Sequence, residues 1–207
     1  MLLIARRRWL MGGTRYNARG LDVDGNVANH TEVEQLVFHH SAKTPPEDTA
    51  SPNSKILATT KVYSHVQVRG SIPIFWEQTG LTSVNVTKTD EVSAIAMLKH
   101  YTSLQKDYLG GPIAVVNLIR SHKGLERTLF ERQHAVMAET NLLGGQEIDY
   151  YHFDFHTECK ENSDPMLEFL RVRVLPNHME RIGLFVMRND IVEEVAQDGN
   201  LKTRKLV

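Results

Sequence analysis

The lone cysteine, Cys159, is the first residue whose type invites a chemical role. A cysteine phosphatase holds its thiolate in a loop of backbone N–H groups at a helix N-terminus, which lowers the thiol pKa. It also needs an arginine six positions further on, whose planar fork grips phosphate oxygens in pairs. Position 165 is Pro165, and the intervening Lys160-Glu161-Asn162-Ser163-Asp164 has no glycine and two carboxylates. The spacing excludes such a loop, and Cys159 reads as a small apolar side chain that packs.

His152, His156 and Cys159 form an H-x3-H-x2-C set that could ligate zinc, but no second Cys/His pair stands at finger spacing. On a strand, His152, Asp154 and His156 share one face while Phe153 and Phe155 share the other. The simpler reading is a strand end with buried phenylalanines and a polar row facing a cleft. Open α/β sheets place ligands at that edge. Asp22-Val23-Asp24-Gly25-Asn26 resembles the start of a calcium loop, yet its glycine is fourth rather than sixth. Position 33, where the bidentate glutamate belongs, is Val33, so no metal is expected.

Arg6, Arg7, Arg8, Arg15, Arg19 and Arg69 are the remaining group with chemical potential. Their stems can simply cover apolar surface along exposed strands. Alternatively, several converge on an anionic headgroup. Arg69-Gly70-Ser71 suits the second reading, because glycine permits close backbone approach and an arginine beside a hydroxyl can clamp phosphate oxygens.

These residues need elements to position them. Asp22 to Asn26 is a turn, since Asp, Gly and Asn tolerate positive φ. Asn26 to Phe38 alternates loosely, with Val27, Val33 and Val37 on one side of a strand. The proline-containing polar stretch 41–54 reads as an exposed loop or insertion. Strand character resumes over Lys61 to Val68 and again over Thr82 to Thr87. From Asp90 to Leu109, Val92, Ile95, Leu98, Tyr101, Leu104 and Tyr108 recur at steps of three and four. That spacing predicts a helix, capped by Thr87 or Thr89 and stopped by Gly110-Gly111-Pro112. Ile113 to Leu118 reads as a strand buried on both faces. A second helix follows from Leu125 to about Leu142, with Leu125, Leu129, Val136 and Leu143 on one side.

A third strand is expected over Ile148 to Phe155, then a helical stretch from Asp164 broken near Pro176. The close is strand-like at Leu184 to Met187, Ile191 to Ala196 and Lys202 to Val207. Strands alternating with helices in the second half predict an α/β fold, a mixed sheet with crossover helices.

The chain has 207 residues, 41% hydrophobic and 24% charged, ordinary values for a globular protein with a sizeable core. Lys and Arg number 24 against 25 Asp and Glu, a formal net charge of -1. So balanced a charge attracts neither nucleic acid nor an anionic membrane globally, and anion recognition has to be local. One cysteine allows no internal disulfide, which suits an intracellular compartment. Met1 to Ile4 precedes Arg6, Arg7 and Arg8 in the wrong order for a signal peptide, and no apolar run is long enough to span a bilayer. Membrane contact is expected to be peripheral.

Four stretches, in order, resemble the Sac domain, the phosphoinositide phosphatase domain of Sac1-like proteins and synaptojanins. The first is Gly13-Thr14-Arg15-Tyr16-Asn17-Ala18-Arg19-Gly20, running into Asp24-Gly25-Asn26-Val27-Ala28-Asn29 and Glu32-Val33-Glu34-Gln35. The second is Val66-Gln67-Val68-Arg69-Gly70-Ser71-Ile72-Pro73-Ile74-Phe75-Trp76-Glu77-Gln78. Val116-Asn117-Leu118 with Lys123-Gly124-Leu125-Glu126 is the third, and Phe153-Asp154-Phe155-His156-Thr157-Glu158-Cys159-Lys160 the fourth.

The resemblance implies a partial, cysteine-phosphatase-like Sac catalytic domain over 1–207, cytoplasmic and peripheral to membranes. It implies hydrolysis of a phosphate monoester on the inositol ring of a membrane phosphatidylinositol phosphate, without metal or other cofactor. The family's nucleophile lies in a C-x5-R-T loop, expected a few residues beyond Lys202 to Val207, so the chain alone is expected to be inactive. Carried over by position, Arg15, Arg19, Arg69, Asp154 and His156 are expected around the phosphate pocket or its support. Trp9-Leu10-Met11 and His30-Thr31 depart from the family pattern. Two other classes compete: a non-catalytic phosphoinositide-binding or scaffold remnant of the same domain, and a zinc-dependent hydrolase.

Overall fold

A computed structural model describes the backbone at positions 1–12, 18–43, 56–80, 83–108, 112–143, 148–182, 185–195 and 201–206. In chain order the strands are β1 (Leu2–Arg7), β2 (Thr31–Lys43), β3 (Ile56–Arg69), β4 (Trp76–Thr79), β5 (Ser83–Val86), β6 (Ile113–Asn117), β7 (Ile148–His152), β8 (Phe185–Val195) and β9 (Leu201–Leu206). The helices are α1 (Asp90–Asp107), α2 (Gly124–Leu142), α3 (Phe155–Glu158), α4 (Asp164–Phe169) and α5 (Leu175–Ile182). The chain divides into two compact units, one of Met1–Ala5, Val33–Gln67 and Leu184–Val207, the other of Arg6–Glu32 and Val68–Gly183.

The first unit is built on a five-stranded sheet in the order β1-β2-β3-β8-β9. β8 runs antiparallel to β3, from Ile56 opposite Glu193 to Ser64 opposite Phe185, and antiparallel to β9 on its other side. The sequence suggests two short strands here, separated by Arg188-Asn189-Asp190. The structure has one strand of 11 residues, because ladder partners along β3 hold that polar trio extended. Of the stretch 41–54 expected as an exposed loop, 41–43 instead continue β2, and 44–55 lie outside the described residues.

In the second unit, β6 and β7 pair in parallel, joined by the α2 crossover, as a βαβ unit requires. The parallel pairing therefore sits in a separate two-stranded sheet from the antiparallel ladders, and β4–β5 form a small hairpin. β6 is half-buried over Ile113–Val116 rather than buried on both faces, with Asn117 buried at its end, and among the described strands its only ladder partner is β7. The unit's core gathers Ile74, Trp76, Ala94, Met97, Tyr101, Leu104, Leu129, Val136 and Met137.

The row expected to bury α1 is partly displaced. Val92 and Ile95 are 44% and 53% exposed, while Ser93, Ala94, Met97, His100, Tyr101 and Leu104 are buried. The buried face keeps helical spacing but uses small and polar side chains, and small residues let helices approach closely. Thr140 on α2 lies there, its hydroxyl 2.7 Å from the Val136 carbonyl and 3.5 Å from that of Ala94. Pro176 falls in the first turn of α5. It has no N–H and its ring crowds the preceding turn, and a wide π-helical turn, Leu170–Val174, comes immediately before that helix.

The turn at Asp22–Asn26 packs on α1. Asp22 Oδ1 accepts from the N–H groups of Asp24 and Asn26 at 3.0 and 2.8 Å, the local bonding that makes Asp a turn former. Gly25 has φ +85°, and a Cβ there would lie 2.6 Å from His100 N and 2.9 Å from Ala96 O. His100 Nδ1–H donates to the Gly25 carbonyl at 3.0 Å.

Gly25→Ala should therefore cost about 2 to 4 kcal/mol in urea unfolding, through close contact and positive φ together; a loss below about 0.5 kcal/mol would contradict the packing. Burial holds the His100 imidazole down to about 4, opposed by the Gly25 carbonyl and assisted by the charges of His30 and Arg8. Above pH 6.5 both folded and unfolded chains carry it neutral; below that the unfolded chain binds a proton the fold refuses. Stability should fall from pH 6.5 toward about 4, by up to roughly 3 kcal/mol from this group. His100→Asn, whose amide can still donate to Gly25, should show a smaller drop in urea midpoint between pH 7 and 5. An equal drop would remove His100 as the cause.

Candidate functional site

Arg19 and Arg69 flank a knot of loops in the second unit. Gly20 N–H donates to the Ser71 hydroxyl at 2.8 Å, Ser71 N–H to the Ala28 carbonyl at 2.9 Å, and Ala28 N–H to the Gly20 carbonyl at 2.8 Å. Two neighbouring turns, at Gly20 and Ala28, are thus closed with the distant Ser71 into one ring of hydrogen bonds. Arg19 Nε and Nη2 donate to Gln78 Oε1 at 3.1 and 3.0 Å, and its guanidinium lies 5.8 Å over the Trp76 ring, a cation–π arrangement.

The triplet Arg69-Gly70-Ser71 divides its labour. Ser71 is engaged by Gly20, and Gly70 receives Val27, since a Cβ at 70 would lie 2.7 Å from Val27 Cγ2. These two residues hold the knot together, and the Arg69 side chain is exposed. Arg15 lies outside the described residues.

Asp154 and His156 stand elsewhere in the unit, at the carboxyl end of β7. The expected strand through Phe155 stops at His152. Asp154 caps α3, its carboxylate accepting from Thr157 N–H at 3.0 Å. The row of His152, Asp154 and His156 is therefore not a strand face. His152 lines a cleft of about 440 Å³ with Tyr151, Phe169 and Arg173, while His156 is exposed on α3. Desolvation pushes the Asp154 carboxyl up, but the Thr157 bonds and the charges of His152 and Arg120 outweigh it and hold the group below its usual range.

The loops on this edge are fixed by Asn117, the last residue of β6. Its Oδ1 accepts from Ile119 N–H at 3.0 Å, and its carbonyl from Phe153 N–H at 2.9 Å. Its amide donates to Gln133 Oε1 at 2.7 Å and to Tyr150 Oη at 2.8 Å. His152 Nε2–H donates to the Ile119 carbonyl at 2.9 Å, and its ring packs 4.5 Å from Phe130. Arg120 N–H donates to Glu126 Oε2 at 2.9 Å. Sequence reasoning did not single out Arg120 or the tethering role of Asn117. The signals for Asn117 are a polar residue inside the apolar run from Ile113 and its place in the stretch Val116-Asn117-Leu118. Among the described residues, no three His, Cys, Asp or Glu side chains gather as a metal site, and no helix is long and apolar enough to cross a membrane.

The family model described as the SacI homology domain matches residues 1–160. The chain is 34% identical over 211 residues to the inositol-1,4,5-trisphosphate 5-phosphatase 1 of Schizosaccharomyces pombe, covering 99% of this chain and 17% of that protein. It is 35% identical over 183 residues to the phosphatidylinositol-3-phosphatase SAC1 of Saccharomyces cerevisiae, covering 88% and 26%. With synaptojanin of Caenorhabditis elegans the identity is 34% over 214 residues, covering 99% and 16%. The chain thus spans between about a sixth and a quarter of the length of these curated relatives.

Asp154→Ala should lose about 1 kcal/mol in urea unfolding, the value of a helix cap, whereas Asp154→Asn keeps an acceptor for Thr157 N–H and should lose less. No loss in Asp154→Ala would mean that the cap contributes nothing.

Proposed function

Because the chain belongs to the SacI homology domain family, we propose that it forms part of a phosphoinositide phosphatase domain. The reaction removes a phosphate monoester from the inositol ring of a phosphatidylinositol phosphate at a cytoplasmic membrane surface. In this reading 1–207 is one partial Sac catalytic domain of the cysteine-phosphatase type. The observation that carries it is the match over residues 1–160. It is supported by the convergence of separately resembling stretches on the knot of Gly20, Ala28 and Ser71.

Arginines suit the phosphate because a guanidinium presents paired donors to two oxygens at once. Arg15, Arg19 and Arg69 are assigned to the headgroup, with Asp154 and His156 on a supporting wall. Asp154 stays ionised well below neutral pH, so it organises donors around it rather than accepting phosphate. Cys159 is not the nucleophile: Pro165 stands six positions on, where the phosphate-binding arginine belongs. The attacking thiolate belongs to a C-x5-R-T loop that these 207 residues do not contain.

The 207-residue chain should bind short-chain phosphatidylinositol 4-phosphate in calorimetry and release no phosphate. Arg69→Ala, at an exposed site, should weaken binding about five- to tenfold, the worth of a charge-assisted hydrogen bond. His156→Ala should weaken it by a smaller factor. Unchanged affinity in both variants would remove these residues from the pocket, and phosphate release above a blank would overturn the assignment of the nucleophile.

A further inference from the structure

The tripeptide Trp9-Leu10-Met11, which departs from the family pattern, forms a turn whose ends are tied by Gly12 N–H donating to the Trp9 carbonyl at 3.0 Å. Trp9 is 83% exposed. Leu10 and Met11 are half-buried beside it. Tryptophan carries a large apolar area that soluble proteins ordinarily cover. The other tryptophan, Trp76, obeys that rule: it is 9% exposed and its indole N–H donates to the Ile72 carbonyl at 3.2 Å.

Charge accompanies the exposed ring. Residues 1–21 contain five arginines, at 6, 7, 8, 15 and 19, and no acidic residue. Three of them immediately precede Trp9. Arg6 and Arg8 reach carboxylates on other segments, Glu32 and Asp107, and Arg6 remains 53% exposed at its side chain. Arg7 is exposed and donates to Asn29 Oδ1 at 2.6 Å.

An aromatic tip with a polar indole edge, preceded by arginines, has the chemistry of a membrane–water interface. Tryptophan concentrates at the headgroup level of bilayers, and each basic residue near an anionic leaflet adds attraction. A purely electrostatic surface would not need the ring; a protein contact, which also favours Trp and Arg, is one of the outcomes the test separates. From these residues we infer that the Trp9-Leu10-Met11 turn inserts into the interface of an anionic lipid bilayer and holds the domain against the membrane that carries its substrate. The inference rests on the proposed phosphoinositide reading for the identity of that membrane, but not for the insertion itself.

The test uses the full 207-residue chain with phosphatidylcholine vesicles that are neutral, doped with phosphatidylserine, or doped with phosphatidylinositol 4-phosphate. The readouts are co-sedimentation and acrylamide quenching of tryptophan emission. Because Trp76 is shielded throughout, quenching reports Trp9. In buffer the emission should be readily quenched; on either anionic vesicle it should shift to the blue and become protected. Trp9→Ala, checked for unchanged circular dichroism, should bind vesicles about tenfold more weakly, and Trp9→Phe should recover most of the loss. Full binding by Trp9→Ala, unprotected emission on bound vesicles, or no vesicle binding at all would overturn the inference. Protection already present in buffer would overturn it too, since it would place Trp9 in a contact between copies of the chain. Equal binding to both anionic vesicles upholds insertion while removing headgroup selectivity. Selective binding to phosphatidylinositol 4-phosphate with Trp9 still quenchable does the reverse.

Discussion

The approach of the Asp22–Asn26 turn to α1 sets the position of nearly everything around the arginine knot. Helix backbone, glycine and imidazole meet there with no space for a Cβ, and the contact is sealed by the His100 to Gly25 hydrogen bond. Once that turn is seated, Val27 and Leu21 bridge across its base and enter a small core with Phe75 and Ala96. Ala28 is then within reach of both Gly20 and Ser71. That ring of bonds fixes the backbone beside Arg19, whose guanidinium then lies over Trp76 and donates to Gln78. A buried neutral histidine is costly to protonate, so the same contact that orders the knot makes it acid-sensitive.

A second constraint governs the edge that carries Asp154. A parallel strand pair cannot be joined by a tight turn, so its two carboxyl ends emerge side by side with their loops unsupported by a hairpin. Asn117 supplies the missing support, using side chain and backbone to hold the first residues of both loops. Its amide protons go to Gln133 and Tyr150, so the polar group that organises the loops is itself satisfied inside the core. Arginine and aspartate then come close enough for their charges to act on one another.

What the sequence makes legible depends on how far the deciding partner lies along the chain. α1 and α2 are readable because their spacing is local, and the turn at Asp22 because Asp, Gly and Asn declare it. The buried face of α1 is not readable: Val92 and Ile95 fit the apolar row, yet the helix turns Ser93, Ala94 and Met97 inward. The end of β7 is misjudged for a different reason. His152 to His156 alternates polar and aromatic residues like a strand, while the competing signal, an aspartate able to cap Phe155–Glu158, is equally local. The fate of Ser71 is invisible from its neighbours, because the N–H that occupies it belongs to Gly20, 51 positions earlier. Arg15 falls among residues the structure does not describe.

Charge distribution connects the two clusters to the membrane question. A net charge of -1 means that long-range steering toward an anionic surface is weak for the chain as a whole. The arginines are not spread evenly, however; the first acidic residue is Asp22, after five of them. At physiological salt a charge is felt over roughly 8 Å, a distance comparable to a turn or a short loop, so such segregation creates a local field that the global sum conceals. A protein that acts on a phosphate held at a bilayer surface has to approach with its recognition residues facing the lipid. In the proposed reading, the basic stretch that carries the exposed Trp9 precedes Arg19 in sequence and would provide that orientation. Asp22 in its turn and Asp154 at α3 serve packing and capping, while Glu32 and Asp107 pair with Arg6 and Arg8 and leave the Arg6 side chain 53% exposed.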